Sequence, residues 1–296
     1  MGKSQFHKYQ SIGKKFKPNL IEGYPSDLTN KINWQGQIDE KGIILNKLTN
    51  GKLIYFPIAI AQKALGHYDN YLIHNNDEDI TIFLKYTDFL IAKMDSEGLI
   101  STWHDQERNL LNDYSAMTQG QLISCCCRAF AYTNEPAYMN AAQKASYHIT
   151  NLTEKNLLVK LDDTSLALSE MPNKNNSIIL NGWFFSLWGL LELELIYPNE
   201  KLNKINKSII DSIIKNINLF DTGFWSKYDN KNIASPFYHD LHIEQLKVMY
   251  HITQDSTFKA YIEKWDMYRN KNTYKFLSIL IKAKQKLSTR KYNEFI

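Results

Sequence analysis

Apolar positions along this chain recur mostly at helical spacing. "PIAIAQKALGHYDNYL" places Ile58, Ala61, Leu65 and Tyr68 on one face, the three-and-four interval of an amphipathic helix. "DITIFLKYTDFLIAKM", "GQLISCCCRAFAY" and "PAYMNAAQKASYHIT" predict three more helices. "NGWFFSLWGLLELELIY" is apolar on most faces, as expected of a helix buried in an inner layer. "KLNKINKSIIDSIIKNINLF" is amphipathic, as an outer helix would be. "DLHIEQLKVMYHIT", "STFKAYIEKWDMYRN" and "TYKFLSILIKAKQKL" complete the set.

One connector recurs. "TNEPAY" (133–138) and "TQDSTF" (253–258) each run Thr, amide, acid, then an aromatic residue three positions on. The acid falls near the start of the next helix, where negative charge is favourable. Repeated helical hairpins with short polar links predict a mainly α fold, an (α/α) toroid over residues 51–290 with a few short β-hairpins. Strand signals are limited to "KGIILNKL" and the pair "GLISTW" and "LLVKLD". Residues 1–50 are polar and aperiodic and are expected to pack on the toroid as an irregular segment.

Composition narrows the function. Hydrophobic residues make up 44% of the 296, enough for a substantial core, and 18 tyrosines suit a sugar-binding cleft as well as an ordinary core. A net charge of +4, with lysines interleaved among acids, argues against a nucleic-acid partner. No stretch approaches the roughly 18 apolar residues of a membrane span. The first twenty residues lack a signal-peptide apolar run, so a cytoplasmic location is expected. Cys125, Cys126 and Cys127 are consecutive and point apart on a helix, giving neither a disulfide nor a closed zinc site.

Candidate chemistry gathers in "SPFYHDLHIEQL" (235–246), where Tyr238, His239 and His242 follow a proline at a helix start. They can pack and cap, or act as acid and base. His239 and His242 stand at i, i+3 without a convincing third ligand, so no metal site is assigned, and no cofactor is called for. Trp225, close by in sequence, is a candidate to stack on a sugar ring, and Gln119 and Gln121 flank Gly120 at another helix entry, placed to bind hydroxyls or to cap.

Five stretches occur in order: "YFPIAIAQKALGHY", "YSAMTQGQLIS", "LNGWFFSLWGL", "LFDTGFWSKYD" and "YHDLHIEQL". Together they resemble the C-terminal helical domain of D-glucuronyl C5-epimerase, from about residue 55 to about 270. The resemblance implies an (α/α) toroid with a cleft at one rim. It implies epimerisation of D-glucuronic to L-iduronic acid units in an acidic polysaccharide, and a homodimer is an expectation drawn from the family. It assigns catalytic roles to Tyr228, Tyr238 and Glu170, and a substrate-binding role to Asn181. Met171 stands where the family has a second catalytic tyrosine, and Lys231 where it has an arginine. The substitution at 231 keeps the charge but loses the planar fork.

The reaction explains the residue types. Removing the C5 proton α to a carboxylate and returning one to the other face needs a base, an acid and neutralisation of the carboxylate. Glu170 and Tyr238 are expected to oppose one another, with Tyr228 bonding substrate and Lys231, His239 and His242 supporting. Three alternatives remain: a polysaccharide lyase starting with the same proton abstraction, a glycoside hydrolase drawing on Glu170, Asp229 and Asp240, and a non-catalytic relative that binds acidic glycans.

Overall fold

The computed structural model describes residues 8–48, 51–102, 114–172 and 178–290. Its helices are α1 (Pro57–His74), α2 (Asp77–Ile91), α3 (Ala116–Thr133), α4 (Pro136–Thr150), α5 (Leu180–Ile196), α6 (Glu200–Asn216), α7 (Pro236–Thr253), α8 (Ser256–Asn270) and α9 (Asn272–Arg290). The first eight form four hairpins. Packing runs α1 to α3, α3 to α5 and α5 to α7, so the odd-numbered helices line the inside and their partners flank them outside. The fold is an (α/α) toroid, and α9 lies across α7 and α8.

Local chemistry explains the boundaries. Pro57, Pro136 and Pro236 start their helices at N1, where no N–H is needed. Asn76, Asn199 and Asp255 cap α2, α6 and α8 by accepting backbone N–H bonds. The two like connectors share one geometry. Asn134 and Gln254 adopt left-handed backbone, with φ of 59° and 58°. Their N–H groups donate to Phe130 and Tyr250 carbonyls. Thr133 and Thr253 Oγ1 then accept from Glu135 and Asp255 N–H, and those two acids are the N-cap residues of α4 and α8.

The strands are short. β1 (Gln37–Ile38), β2 (Ile44–Lys47) and β3 (Leu53–Ile54) form an antiparallel sheet ahead of α1, with Ile38 opposite Ile44 and Asn46 opposite Ile54. β4 (Leu158–Lys160) pairs with β5 (Leu166–Leu168), Val159 opposite Ala167. The "GLISTW" stretch does not pair with "LLVKLD". Ile100 instead bridges Met94, closing a turn on its own side, and Trp103 lies outside the described residues.

The N-terminal segment runs along the inner helices. Tyr9 donates to Glu244 of α7 at 2.8 Å. Tyr24 stacks near Phe185 and edge-on to Trp188 of α5, and its N–H donates to Asp69 of α1. A short 3-10 turn at Thr29–Ile32 packs on α1. The fastening is Arg128 of α3, fully buried. Its guanidinium makes two 2.8 Å bonds to Glu192 of α5 and a third, at 3.1 Å, to the Gly23 carbonyl.

Arg128→Met leaves Glu192 buried without its partner. Urea denaturation should show a loss of about 3–5 kcal/mol, most of it recovered in Arg128→Met/Glu192→Leu. A single variant as stable as wild type would remove the pair's structural role.

Candidate active site

Glu170 follows β5 directly. Its neighbour Ser169 is held by two backbone bonds, its N–H to Leu157 O and its carbonyl to Ala116 N–H at the start of α3. The carboxyl then lies over Gly182 in the first turn of α5. A Cβ there would sit 2.2 Å from Glu170 Oε2, so a side chain at 182 would push the carboxyl from this place. Oε2 is buried, with no hydrogen-bond partner among the described residues, and burial pushes this carboxyl up to about 7.

Tyr228 is set by backbone. Its carbonyl accepts from Leu180 N–H at the start of α5, and its N–H donates to Asn232 O. The turn between is closed by Asp229, whose Oδ1 accepts from Lys231 and Asn232 N–H. Tyr238 stands in the first turn of α7, its N–H toward the Ser235 cap. The two rings lie 4.6 Å apart between centroids. Their side chains are hydrogen-bonded to one another. Burial and the nearby Glu170 charge raise both phenols, Tyr238 to about 12 and Tyr228 further.

Glu170, Asn181 and Tyr238 line one cleft of about 320 Å³. Tyr228 stands behind Tyr238 rather than on the cleft wall. Asn181 is buried with Oδ1 unpaired among the described residues, while its backbone carbonyl accepts from Gln245 of α7. Much of the rest of the lining comes from residues ahead of α2. Gln10, Lys31 and Trp34 belong to the N-terminal segment, Asn46 to β2 and Gln62 to α1. Burial lowers the Lys31 amino group to about 8. These residues were not singled out from sequence. Their segment has no period to read, and an isolated tryptophan in the polar stretch "INWQGQIDE" was the one available signal.

Several sequence candidates lie elsewhere. His239 and His242 are fully buried on the inward face of α7. Their Nδ1 atoms converge on Ser226 Oγ at 2.8 and 3.0 Å, and His239 Nε2 meets the Trp265 carbonyl at 3.1 Å. The pattern assigns the protons. His242 Nδ1–H donates to Ser226 Oγ, Ser226 donates to His239 Nδ1, and His239 Nε2–H donates to Trp265. Burial drives both rings to the neutral form, His239 down to about 3. Trp225 is buried flat against His239 at 3.7 Å, with Nε1 on Ala234 O, and presents no face to a sugar. Gln119 joins three backbone groups, at Ile100, Gly98 and Ala145. Gln121 is buried beside the Tyr24 hydroxyl. Lys231 is exposed on the Asp229 turn, away from the cleft wall, and Met171 turns to solvent. Among the described residues no three His, Cys, Asp or Glu side chains group as a metal site.

Known proteins share this fold. The fold is similar to cellobiose 2-epimerase from Bacillus thermoamylovorans (TM-score 0.55, 11% identity, 72% of this chain and 59% of that one). It is also similar to a D-mannose isomerase (0.54, 14%, 79% and 66%). A third similar fold is the unsaturated glucuronyl hydrolase of Bacillus sp. GL1 (0.51, 13%, 71% and 60%). In sequence, a D-glucuronyl C5-epimerase of Caenorhabditis elegans is 27% identical over 173 residues, 51% of this chain and 28% of that protein. The match thus spans less than a third of that relative's length. Residues 83–267 match the family model described as D-glucuronyl C5-epimerase C-terminus. That span holds Glu170, Asn181, Tyr228 and Tyr238 and exceeds half the chain, so the chain belongs to the D-glucuronyl C5-epimerase C-terminus family.

Proposed function

We propose that this protein is a carbohydrate epimerase that inverts C5 of a uronic acid, D-glucuronic to L-iduronic, within an acidic polysaccharide. The observation that carries the reading is Glu170. It is the single acid lining the cleft among the described residues, its Oε2 is buried, and it shares that cleft with Tyr238 and Lys31. A carboxyl poised near neutrality is a competent base at working pH. A phenol near 12 stays protonated and serves as the acid. With Tyr228 as the donor in their hydrogen bond, the Tyr238 proton is free to turn to substrate, and the phenolate is steadied once that proton is given up. In the reverse direction the two exchange roles. Proton loss beside a free carboxylate is strongly disfavoured, and Lys31, rather than Lys231, is the cation placed to neutralise it. Asn181 Oδ1 can accept from a sugar hydroxyl.

The hydrolase alternative needs two carboxylates across the bond. Asp229 closes its own turn and Asp240 lies beside Arg269, so neither joins Glu170 on the cleft wall.

Incubation of a glucuronate-containing polymer in deuterated water should put deuterium at C5. Tyr238→Phe should lower the exchange at least about 100-fold. Absence of label on every uronate tried would end this reading, and an unsaturated product absorbing in the ultraviolet would convert it to a lyase. Lys31→Met should reduce kcat/KM by about 100-fold, with partial recovery in Lys31→Arg. An unchanged value would take the cation out of the mechanism.

Glu170 also links activity to stability. Its folded pKa, about 7, lies above the unfolded value near 4.5. The ionised form is therefore destabilising, fully above pH 7 and not at all below about 4.5. Exchange should rise through pH 7 in the wild type. Glu170→Gln should abolish exchange yet raise stability by on the order of 3 kcal/mol above pH 7. Thermal melts at pH 4.5 and 8 decide it, and an equal shift at both would contradict the buried acid.

A further inference from the structure

α9 has two unlike faces. Inward, Lys282 donates to the Ile233 carbonyl at 2.8 Å and lies over the Tyr228 ring, while Tyr274 meets Phe224 and Tyr268. Gln285 Oε1 accepts from Ile233 N–H. Outward, Phe276, Leu280, Ala283 and Leu287 follow the i, i+4, i+7, i+11 spacing of one helix face. Phe276 is 63% exposed, Leu280 50% and Leu287 66%, with Leu277 and Ile279 exposed beside them. Lys284 borders this apolar stripe on one side, and Lys275 and Lys286 border it on the other. Between Asn272 and Arg290 there is no acidic residue.

We propose that α9 is an interfacial membrane-binding helix whose outer face lies on an anionic lipid surface. An exposed apolar stripe edged by lysines sinks into the boundary between head groups and acyl chains while the lysines meet lipid phosphates. Charge selects this occupant over a second copy of the chain. Pairing α9 with itself would bring lysines against lysines with no acid to offset them. Among the described residues no helix is long and apolar enough to cross a bilayer, so α9 lies on the membrane rather than through it. Its inner face braces the Tyr228 turn, so docking would hold the catalytic side of the toroid near the lipid surface.

Flotation of the full chain with vesicles tests this, using phosphatidylcholine alone and phosphatidylcholine mixed with phosphatidylglycerol. Binding is expected to the mixed vesicles and to weaken in high salt. Phe276→Ser/Leu280→Ser/Leu287→Ser alters solvent-exposed side chains and should keep the wild-type melting temperature while binding at least about 10-fold less. Lys284→Gln should lose roughly fivefold. Failure to float with the mixed vesicles, or flotation unaffected by the triple substitution, would overturn the proposal. A dimer in sedimentation equilibrium that the triple substitution dissolves, without vesicle binding, would assign the stripe to a second copy. None of these readouts depends on epimerisation.

Discussion

The inner ring of this toroid rests on a contact between two backbones. Gly189 of α5 faces the Gly120 carbonyl of α3 so closely that a Cβ would fall 2.1 Å from it. A Cβ on Gly120 would fall 2.5 Å from Ser186 Cα. Gly182, Ser186 and Gly189 follow i, i+4, i+7 and so share one face of an otherwise bulky helix. The lower part of that face receives α3, and Gly182 receives the Glu170 carboxyl. The same absence of side chains that lets two inner helices touch thus also buries the acid. Burial, in turn, is what lifts its pKa to the working range.

Buried polar atoms without partners among the described residues occur at several places in this protein, and some of them line the cleft. Arg128 with Glu192, Gln119 with three backbone groups, and the Ser226–His239–His242 chain hold hydrogen bonds that fix helices to one another. Buried polar clusters of this kind tie helices together. Glu170 Oε2 and Asn181 Oδ1 lack such partners among the described residues, yet both line the cleft. Unsatisfied acceptors cost stability, and their place at a cavity with a perturbed acid is the usual mark of a functional site.

Much of the fold was legible because helical burial imposes a period, and the inner or outer place of α5 and α6 followed from how far round each helix the apolar residues extend. The repeated connector was legible for the same kind of reason, since a left-handed amide and a capping acid leave a short fixed pattern. Within the site, Glu170, Asn181, Tyr228 and Tyr238 converge although they are spread over about seventy positions. That convergence was readable only through resemblance, because nothing periodic relates a strand end, a helix start and a turn. The histidines and Trp225 misdirect for a physical reason. The side chains that do chemistry also make good buried donors and aromatic fillers, and sequence does not say which way they turn. Lys31 and Trp34 were not legible because their segment has no period and is placed by long-range contacts such as Tyr24 with Asp69.

On the proposed function, that placement separates two roles within one cleft. The acid–base groups lie inside the stretch that matches the family, residues 83–267, whereas Lys31, Trp34 and Gln10 lie outside it. Proton transfer needs groups held to within a fraction of an ångström, and rigid helix starts and a strand end provide this. Recognition of a sugar carboxylate and its neighbours needs only charge and surface at the right height, which an irregular strap can supply if it is firmly tied. Here its ties include Tyr9 to Glu244, Gly23 to Arg128, Tyr24 to Asp69 and Ile32 to Lys63. A different strap on the same ring would face the same two phenols and carboxyl with a different wall. On the proposed function, proton transfer thus belongs to the ring and its connections, and the choice of glycan to the segment that closes over them.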